Sequence, residues 1–176
     1  MPVEVKGAIE LRKALRAYAP DLAKLVTKEM GLALRPVAKA ARGYAVGDSQ
    51  ILSNWRPNTN SQGTFPTYNA KAVDAGIGYK TSPSKSNTRG FRSLAKLFNK
   101  SAAGAIYETA GRVTPSSVFV QNLNNKAGGQ MKGSQKMQGR VLFRAYEENQ
   151  GKAQDGVLRA IEQARVKLNS RAKVVK

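Results

Sequence analysis

The 176 residues of this chain fit one domain, and an apolar content of 41% is sufficient to build a hydrophobic core. The sequence contains no Cys and no His, which excludes thiol catalysis, disulfides and the common zinc sites. Its formal net charge of +19 favours an acidic partner: a nucleic acid, an acidic protein surface or an anionic membrane.

The N-terminal quarter of the chain carries the apolar periodicity of two successive helices. Apolar residues recur every three or four positions from Gly7 to Tyr18 and again from Asp21 to Arg42. Pro20 suits the first turn of the second helix, whereas Pro36 should kink it, because its ring clashes with the preceding turn. We therefore expect a helical region over residues 7–43.

No segment of the sequence resembles a targeting signal or a membrane span. Met1–Lys6 leads directly into an amphipathic pattern rather than into the apolar core of a signal peptide. The longest apolar runs are only a few residues long, which is too short to cross a bilayer. We expect a soluble protein that is made in a cytoplasm and has no membrane partner.

Residues 44–145 are expected to form loops and short strands. Turn-forming residues dominate from Gly43 to Pro66, where the single Trp, Trp55, stands out. Trp55 either anchors this loop on the core or contacts a neighbouring subunit. Thr67 to Tyr79 shows weak strand character that is interrupted by glycines.

The stretch from residue 80 to residue 145 is the most basic part of the chain. It holds twelve Lys and Arg but a single acid, Glu108. Two of its segments, 81–90 and 124–139, are predicted to be flexible loops. We expect the bases to face DNA or a protein partner; the alternative is a solvated surface that keeps the protein soluble. The candidate residues are Lys80, Lys85, Arg89, Arg92, Lys96, Lys100, Lys126, Lys132, Lys136 and Arg140.

Within this basic stretch the patterns predict a helix, a strand and a second helix. Phe91 to Lys100 places apolar residues on one helical face with bases around them, as in a basic amphipathic helix. Ala103 to Arg112 alternates with the period of a strand. Pro115 to Ser117 then supplies an N-cap for a short helix. Glu108 is predicted to be the structural partner of one guanidinium or ammonium, because a general acid needs a second polarised group that is not evident.

The chain is expected to close with an amphipathic helix over residues 152–170. Its apolar stripe recurs at helical spacing, and Asp155 and Arg159 are placed to pair at i,i+4 on the exposed face. Lys167 to Lys176 forms a basic tail.

No catalytic constellation is evident, so we expect the protein not to be an enzyme and to hold no cofactor. Without His or Cys, the usual nucleophile–base pairs are missing. Gly76 to Thr81 looks like part of a phosphate loop, but Tyr79 stands where the glycine before Lys-Thr is needed. The adjacent Glu147 and Glu148 would diverge on a helix, and the Asp residues show no metal-ligand spacing.

Two segments of the chain carry a resemblance to a known family. One is Ala105-Ile106-Tyr107-Glu108-Thr109-Ala110-Gly111, where the family often has a strand end of an aromatic residue, Glu and Gly. The other is Phe143-Arg144-Ala145, where the family often has a Phe-x-x-Ala entry to the last helix. With the order of the elements, they resemble the tail-completion (neck) proteins of long-tailed, siphovirus-type bacteriophages, which include minor tail and head–tail connector proteins. Here Ala110 precedes the glycine, and Arg144 stands where the family commonly has Pro.

The resemblance implies an α+β fold in which a long N-terminal helix and a C-terminal helix pack on a small antiparallel sheet, with extended basic loops. It implies a structural virion protein whose copies form a six-fold ring in the phage neck. The ring's neighbours would be a head-side connector or stopper protein and the tail terminator or tail tube protein. Double-stranded DNA would pass through the lumen without sequence-specific contacts. The resemblance does not require a basic lumen, and we add the hypothesis that the basic loops over 80–100 and 126–140 face DNA phosphates or adjoining rings.

Two other functions stay open. The ring could be a tail terminator that caps the tail tube, or the chain could be a free basic architectural protein that binds nucleic acid. Aromatic residues are scarce among the bases, so single strands have few stacking platforms beyond Phe91, Phe98 and Phe119. No helix-turn-helix or similar reader is evident, and the neck ring is therefore favoured.

Overall fold

A computed structural model of the chain describes residues 7–45, 47, 67–88, 92–126, 131–133 and 138–174. These residues form six helices and a two-stranded antiparallel sheet, and the predicted α+β class is confirmed. Trp55, Arg89, Lys136 and much of the predicted 124–139 loop lie outside the described residues. In chain order the elements are α1 (Ala8–Tyr18), α2 (Pro20–Gly43), α3 (Ala70–Gly76), β1 (Ile77–Lys80), β2 (Lys96–Asn99), α4 (Ala102–Thr109), α5 (Val118–Lys126) and α6 (Leu142–Val174).

The chain divides into two compact units. The first unit comprises Met1–Pro36, Tyr79–Lys96 and Gln150–Lys176, and the second comprises Val37–Gly78 and Leu97–Asn149. Because one domain can contain more than one compact unit, the prediction of a single domain over residues 1–176 stays a prediction.

The core of the first unit lies where the long N-terminal and C-terminal helices pack together. The apolar stripes of α1 and α2 face that of α6, as their three- and four-residue spacing predicts. Small side chains on α6 let the helices come close. The buried residues of this cluster are Leu15, Ala19, Leu22, Val26, Met30, Ala160 and Ala164.

Two glycines of α6 offer a direct test of this close packing. A Cβ added at Gly156 would lie 2.6 Å from the Cβ of Ala33 on α2, whereas a Cβ added at Gly151 would meet nothing within 4 Å. Overpacking costs about 1–3 kcal/mol, but Ala in place of Gly inside a helix gains about 0.5–1 kcal/mol. In urea unfolding, we expect Gly156→Ala to lower the free energy of unfolding and Gly151→Ala to raise it. If both variants raised the free energy of unfolding equally, the close contact between position 156 on α6 and Ala33 on α2 would be contradicted.

Tyr68 and Tyr107 form a buried aromatic pair in the second unit. Their ring centroids are 6.0 Å apart with planes at 70°, and both side chains are buried. Polar side chains cap two of the short helices of this unit. Asn69 accepts a hydrogen bond from the amide of Ala72 at the start of α3, and Ser117 accepts one from Val120 in α5.

The segment predicted as a strand, Ala103 to Arg112, instead holds most of the helix α4 followed by a turn, so that prediction is wrong. Ser101 caps the helix by accepting a hydrogen bond from the amide of Gly104 at 3.0 Å. Gly104 also packs against Asn99, because a Cβ at this position would lie 2.9 Å from Asn99 Cγ. The buried positions Ala103, Gly104, Tyr107 and Glu108 follow the helical period, and these tertiary contacts override the alternating pattern.

Three further boundaries differ from the prediction. Residues 96–99 of the predicted amphipathic helix form β2, and reciprocal hydrogen bonds join Ser84 to Ser93 shortly before this strand. Most of the predicted strand over 67–79 is the helix α3. The last helix begins at Leu142, ten residues earlier than predicted, because its start is capped from elsewhere in the chain, as described below.

Candidate functional site

Glu108, the only acid between residues 80 and 145, is buried and caps the start of α6. Its Oε2 accepts hydrogen bonds from the amides of Val141 at 2.7 Å and Leu142 at 3.0 Å, and its Oε1 accepts one from Phe143 at 2.9 Å. The first amides of a helix have no partner within the helix and carry partial positive charge, so a carboxylate is stabilised there. The hydrogen-bond partners of Glu108 are thus main-chain amides, and Glu108 also interacts electrostatically with one buried cation, the guanidinium of Arg140.

Arg140 lies in the interior of the second unit, with 1% of its surface exposed. Its Nε and Nη2 donate to the carbonyl oxygen of Ala110 at 3.2 and 3.0 Å, and its Nη1 donates to Asn124 Oδ1 at 2.7 Å. Burial lowers the pKa of its guanidinium. The prediction that Arg140 faces DNA or a partner is therefore wrong, because its side chain is committed to joining α4, α5 and the start of α6.

The remaining described candidates are at or near the surface. Arg92 is half-buried and donates from Nε to the carbonyl oxygen of Ser84 at 3.1 Å. Because Glu108 is buried, all the exposed charged side chains described between residues 80 and 145 are cations. In the first unit these are Lys80, Lys85 and Lys96, and in the second unit they are Lys100 and Lys132. The side chain of Lys126 lies outside the described part of the structure, as do Arg89 and Lys136.

A buried arginine, Arg12 of α1, contacts both ends of the segment from Thr81 to Leu94 in the first unit, which is called the basic loop below. Its Nη1 donates to the carbonyl oxygens of Thr81 and Leu94, which lie at the two ends of the loop, and its Nη2 contacts Thr27 Oγ1 at 3.3 Å. Burial, and to a lesser extent the nearby Arg16, lowers the pKa of Arg12. The sequence analysis gave Arg12 no role, so this contact was missed.

Replacing Arg12 with Met should release the basic loop while keeping an unbranched side chain in the core. The carbonyls of Thr81 and Leu94 would lose their donor, and we expect the free energy of unfolding to fall by about 1–3 kcal/mol. Amide hydrogen exchange should accelerate over residues 81–94 in particular. If the variant exchanged its amides over residues 81–94 at the wild-type rate and kept the wild-type free energy of unfolding, the anchoring role of Arg12 would be contradicted.

Comparison with protein-family models, with curated proteins and with solved structures finds no match for this chain. Among the described residues, acidic side chains form no group of three that could hold a metal ion. None of the helices in the described ranges combines the length and apolar character that a membrane crossing requires.

A partly exposed polar cluster in the second unit involves Tyr44, Arg144 and Glu148. The guanidinium of Arg144 lies 4.0 Å from the centre of the Tyr44 ring and donates to Glu148 Oε1 at 3.2 Å. The hydroxyl of Tyr44 also donates to Glu148, and this hydrogen bond lowers the pKa of Glu148 and raises that of Tyr44.

The lowered pKa of Glu148 predicts a pH dependence of stability. A carboxyl group whose pKa is lower in the folded state contributes stability above its unfolded pKa of about 4.3, and this contribution is lost as the pH falls through the folded value. Tyr44→Phe removes the hydroxyl donor, so the variant should lose less unfolding free energy than wild type between about pH 6 and about pH 3. Parallel pH profiles for the two proteins in urea unfolding would contradict this coupling.

The sequence analysis also missed a set of exposed cations on α2. Lys24, Lys28 and Arg35 are all exposed in the first unit. Their spacing of four and seven residues is a helical repeat, and it could have identified one basic face of α2 from the sequence.

The predicted pair of Asp155 and Arg159 on α6 is joined through the main chain. Arg159 Nε donates to the main-chain oxygen of Asp155 at 3.3 Å, whereas the sequence predicted contact with the Asp155 carboxylate.

Proposed function

We propose that this protein is a structural subunit of the neck of a long-tailed bacteriophage. Its copies form a homo-oligomeric ring that joins the head-side connector to the tail tube and lets double-stranded DNA pass. Under this proposal the chain has no catalytic role, and its function rests on surfaces that contact neighbouring subunits and DNA.

The observation that carries the proposal is the set of hydrogen bonds from Val141, Leu142 and Phe143 to Glu108. The resemblance to neck proteins rests on two segments, 105–111 and 143–145, which are more than thirty residues apart in the sequence. Glu108 belongs to the first segment and caps the helix that the second segment opens. The cap therefore links Glu108 of the first segment to Phe143 of the second, which supports treating the two segments as one structural feature, while segment 105–111 lies in helix α4 and its turn rather than at the strand end that the resemblance implied.

The exposed charge of residues 80–145 supports contact with DNA. The stretch's single carboxylate is buried and caps α6, so the exposed charged side chains described within the stretch are all cations. Contact with phosphates is independent of base sequence, as passage of a whole genome requires.

Size exclusion coupled to light scattering, with negative-stain electron microscopy of the same fractions, tests the ring. We expect closed rings of one defined symmetry, either for the protein alone or after addition of a neck partner. A protein that stays monomeric with and without partners, and is absent from purified particles, would contradict the proposal.

The alternative function that the same exposed cations would support is that of a free architectural protein that binds nucleic acid. It would bind DNA as a monomer or coat it without a closed ring, whereas a tail terminator would form a ring on isolated tail tubes. Oligomeric state in the presence of DNA and of tail tubes therefore separates the three functions.

A further inference from the structure

One face of α2 in the first unit carries a row of exposed cations. At 100° per residue, Lys24, Lys28 and Arg35 project within about 40° of one another around the helix axis. Their Cα positions are separated by about 6 and about 10 Å along the axis. All three side chains are exposed, so the row is available to a ligand.

No unpaired carboxylate lies in this row. Glu29 projects about 140° away from Lys24 around the helix. Asp21, one turn before Lys24, is paired with Arg171, whose Nη1 and Nη2 lie 3.1 and 2.7 Å from the two carboxylate oxygens. The face is therefore positive without internal compensation.

A tyrosine lies within the row. Gly31 projects from the same face of α2, between Lys28 and Arg35, and it is buried because Tyr79 covers it. A Cβ at Gly31 would lie 3.6 Å from both Cε2 and Oη of Tyr79, which places the phenol ring directly on the helix backbone. Tyr79 is itself only half-buried, and the next residue, Lys80, is exposed.

We propose that this face of α2, with Lys24, Lys28, Arg35 and the hydroxyl of Tyr79, binds the phosphate backbone of duplex DNA. Duplex DNA presents a continuous line of charge, about one per 1.7 Å of axis, so a row of cations finds a phosphate at each position. Tyrosine hydroxyls and cationic side chains are the donors that typically contact phosphate oxygens. An acidic protein would instead need discrete carboxylates in a matching row. The proposal deepens the DNA-passage part of the proposed function and rests on it.

Fluorescence anisotropy with a labelled duplex of mixed sequence, titrated with salt between about 50 and 200 mM, tests this face. The test variant is Lys24→Gln, Lys28→Gln, Arg35→Gln. The matched control is Lys13→Gln, Lys152→Gln, Lys167→Gln, which removes the same charge from exposed positions on α1 and α6. Each lost phosphate contact lowers the slope of log K against log salt by about 0.9, so the test variant should lose roughly 2–3 of slope and the control less than about 1.

A second variant, Tyr79→Phe, separates hydrogen bonding from charge. It removes a neutral donor that releases no counterion, so affinity should fall about two- to fivefold while the salt slope stays that of wild type. Circular dichroism and urea unfolding establish that each variant is folded.

Three results would overturn the proposal. Equal losses in the test and control variants would mean that only net charge matters. Stronger competition by poly-glutamate than by unlabelled duplex would assign the face to an acidic protein. A test variant that binds like wild type would remove this face from the DNA contact, yet rings seen by electron microscopy would still support the neck function.

Discussion

Replacing Glu108 with Ala is expected to lower the free energy of unfolding by about 3–5 kcal/mol, because each buried amide left without an acceptor costs about 1–3 kcal/mol. The carboxylate satisfies three amides at the start of α6, and Ala would leave all three without an acceptor. For a chain of this length, such a loss lowers Tm by roughly 10 °C. Urea unfolding followed by circular dichroism measures it.

Two further variants interpret that result. Glu108→Gln keeps the shape and one acceptor oxygen but loses the charge, so its destabilisation should fall between those of wild type and Glu108→Ala. Glu147→Gln changes an exposed carboxylate on α6, the helix that Glu108 caps, and should alter stability by less than about 0.5 kcal/mol. If Glu108→Ala matched Glu147→Gln, the cap would contribute nothing measurable and the structure of this region would be contradicted.

Gly139→Ala is expected to destabilise the protein by about 3 kcal/mol, at the upper end for overpacking. A Cβ at residue 139 would run into the Glu108 carboxylate, reaching 2.6 Å from its Cδ and 2.9 Å from Cδ2 of Phe143. The backbone of Gly139 is also fixed by paired hydrogen bonds to Lys132, so it has little freedom to withdraw. Urea unfolding of the single variant measures the cost.

A double-mutant cycle shows whether the clash acts through Glu108. Because Glu108→Ala removes the group that the new Cβ would meet, the double variant should be about as stable as Glu108→Ala alone. Additive losses would mean that Gly139 is required for another reason, such as its packing against Phe143.

The helices with strong periodicity were predictable, and the ones shaped by distant contacts were not. The apolar repeat alone placed α1 and α2 within a residue or two. The strand predicted over 103–112 failed because the cap from Ser101 and the fit of Gly104 against Asn99 favour a helix there. The first ten residues of α6 were missed because their cap, Glu108, lies 33 residues before Val141 in the sequence.

Which basic side chains of the candidate site are exposed was also only partly predictable, because long-range contacts bury some of them. A lysine in a polar segment is almost always exposed, and Lys80, Lys85 and Lys96 are. Arg140 is buried because its guanidinium meets the carbonyl of Ala110, a contact that sequence spacing does not reveal. Arg12 is buried by the same kind of long-range contact, with Thr81 and Leu94.

Cryo-electron microscopy of purified phage particles, with the subunit located by its fold, tests the neck function most directly. We predict a closed ring of this chain at the junction of head and tail, encircling the DNA. The exposed cations between residues 80 and 100 should face phosphates or a neighbouring subunit. A junction that lacks the chain, or a ring whose cations all face bulk solvent, would contradict the proposed function.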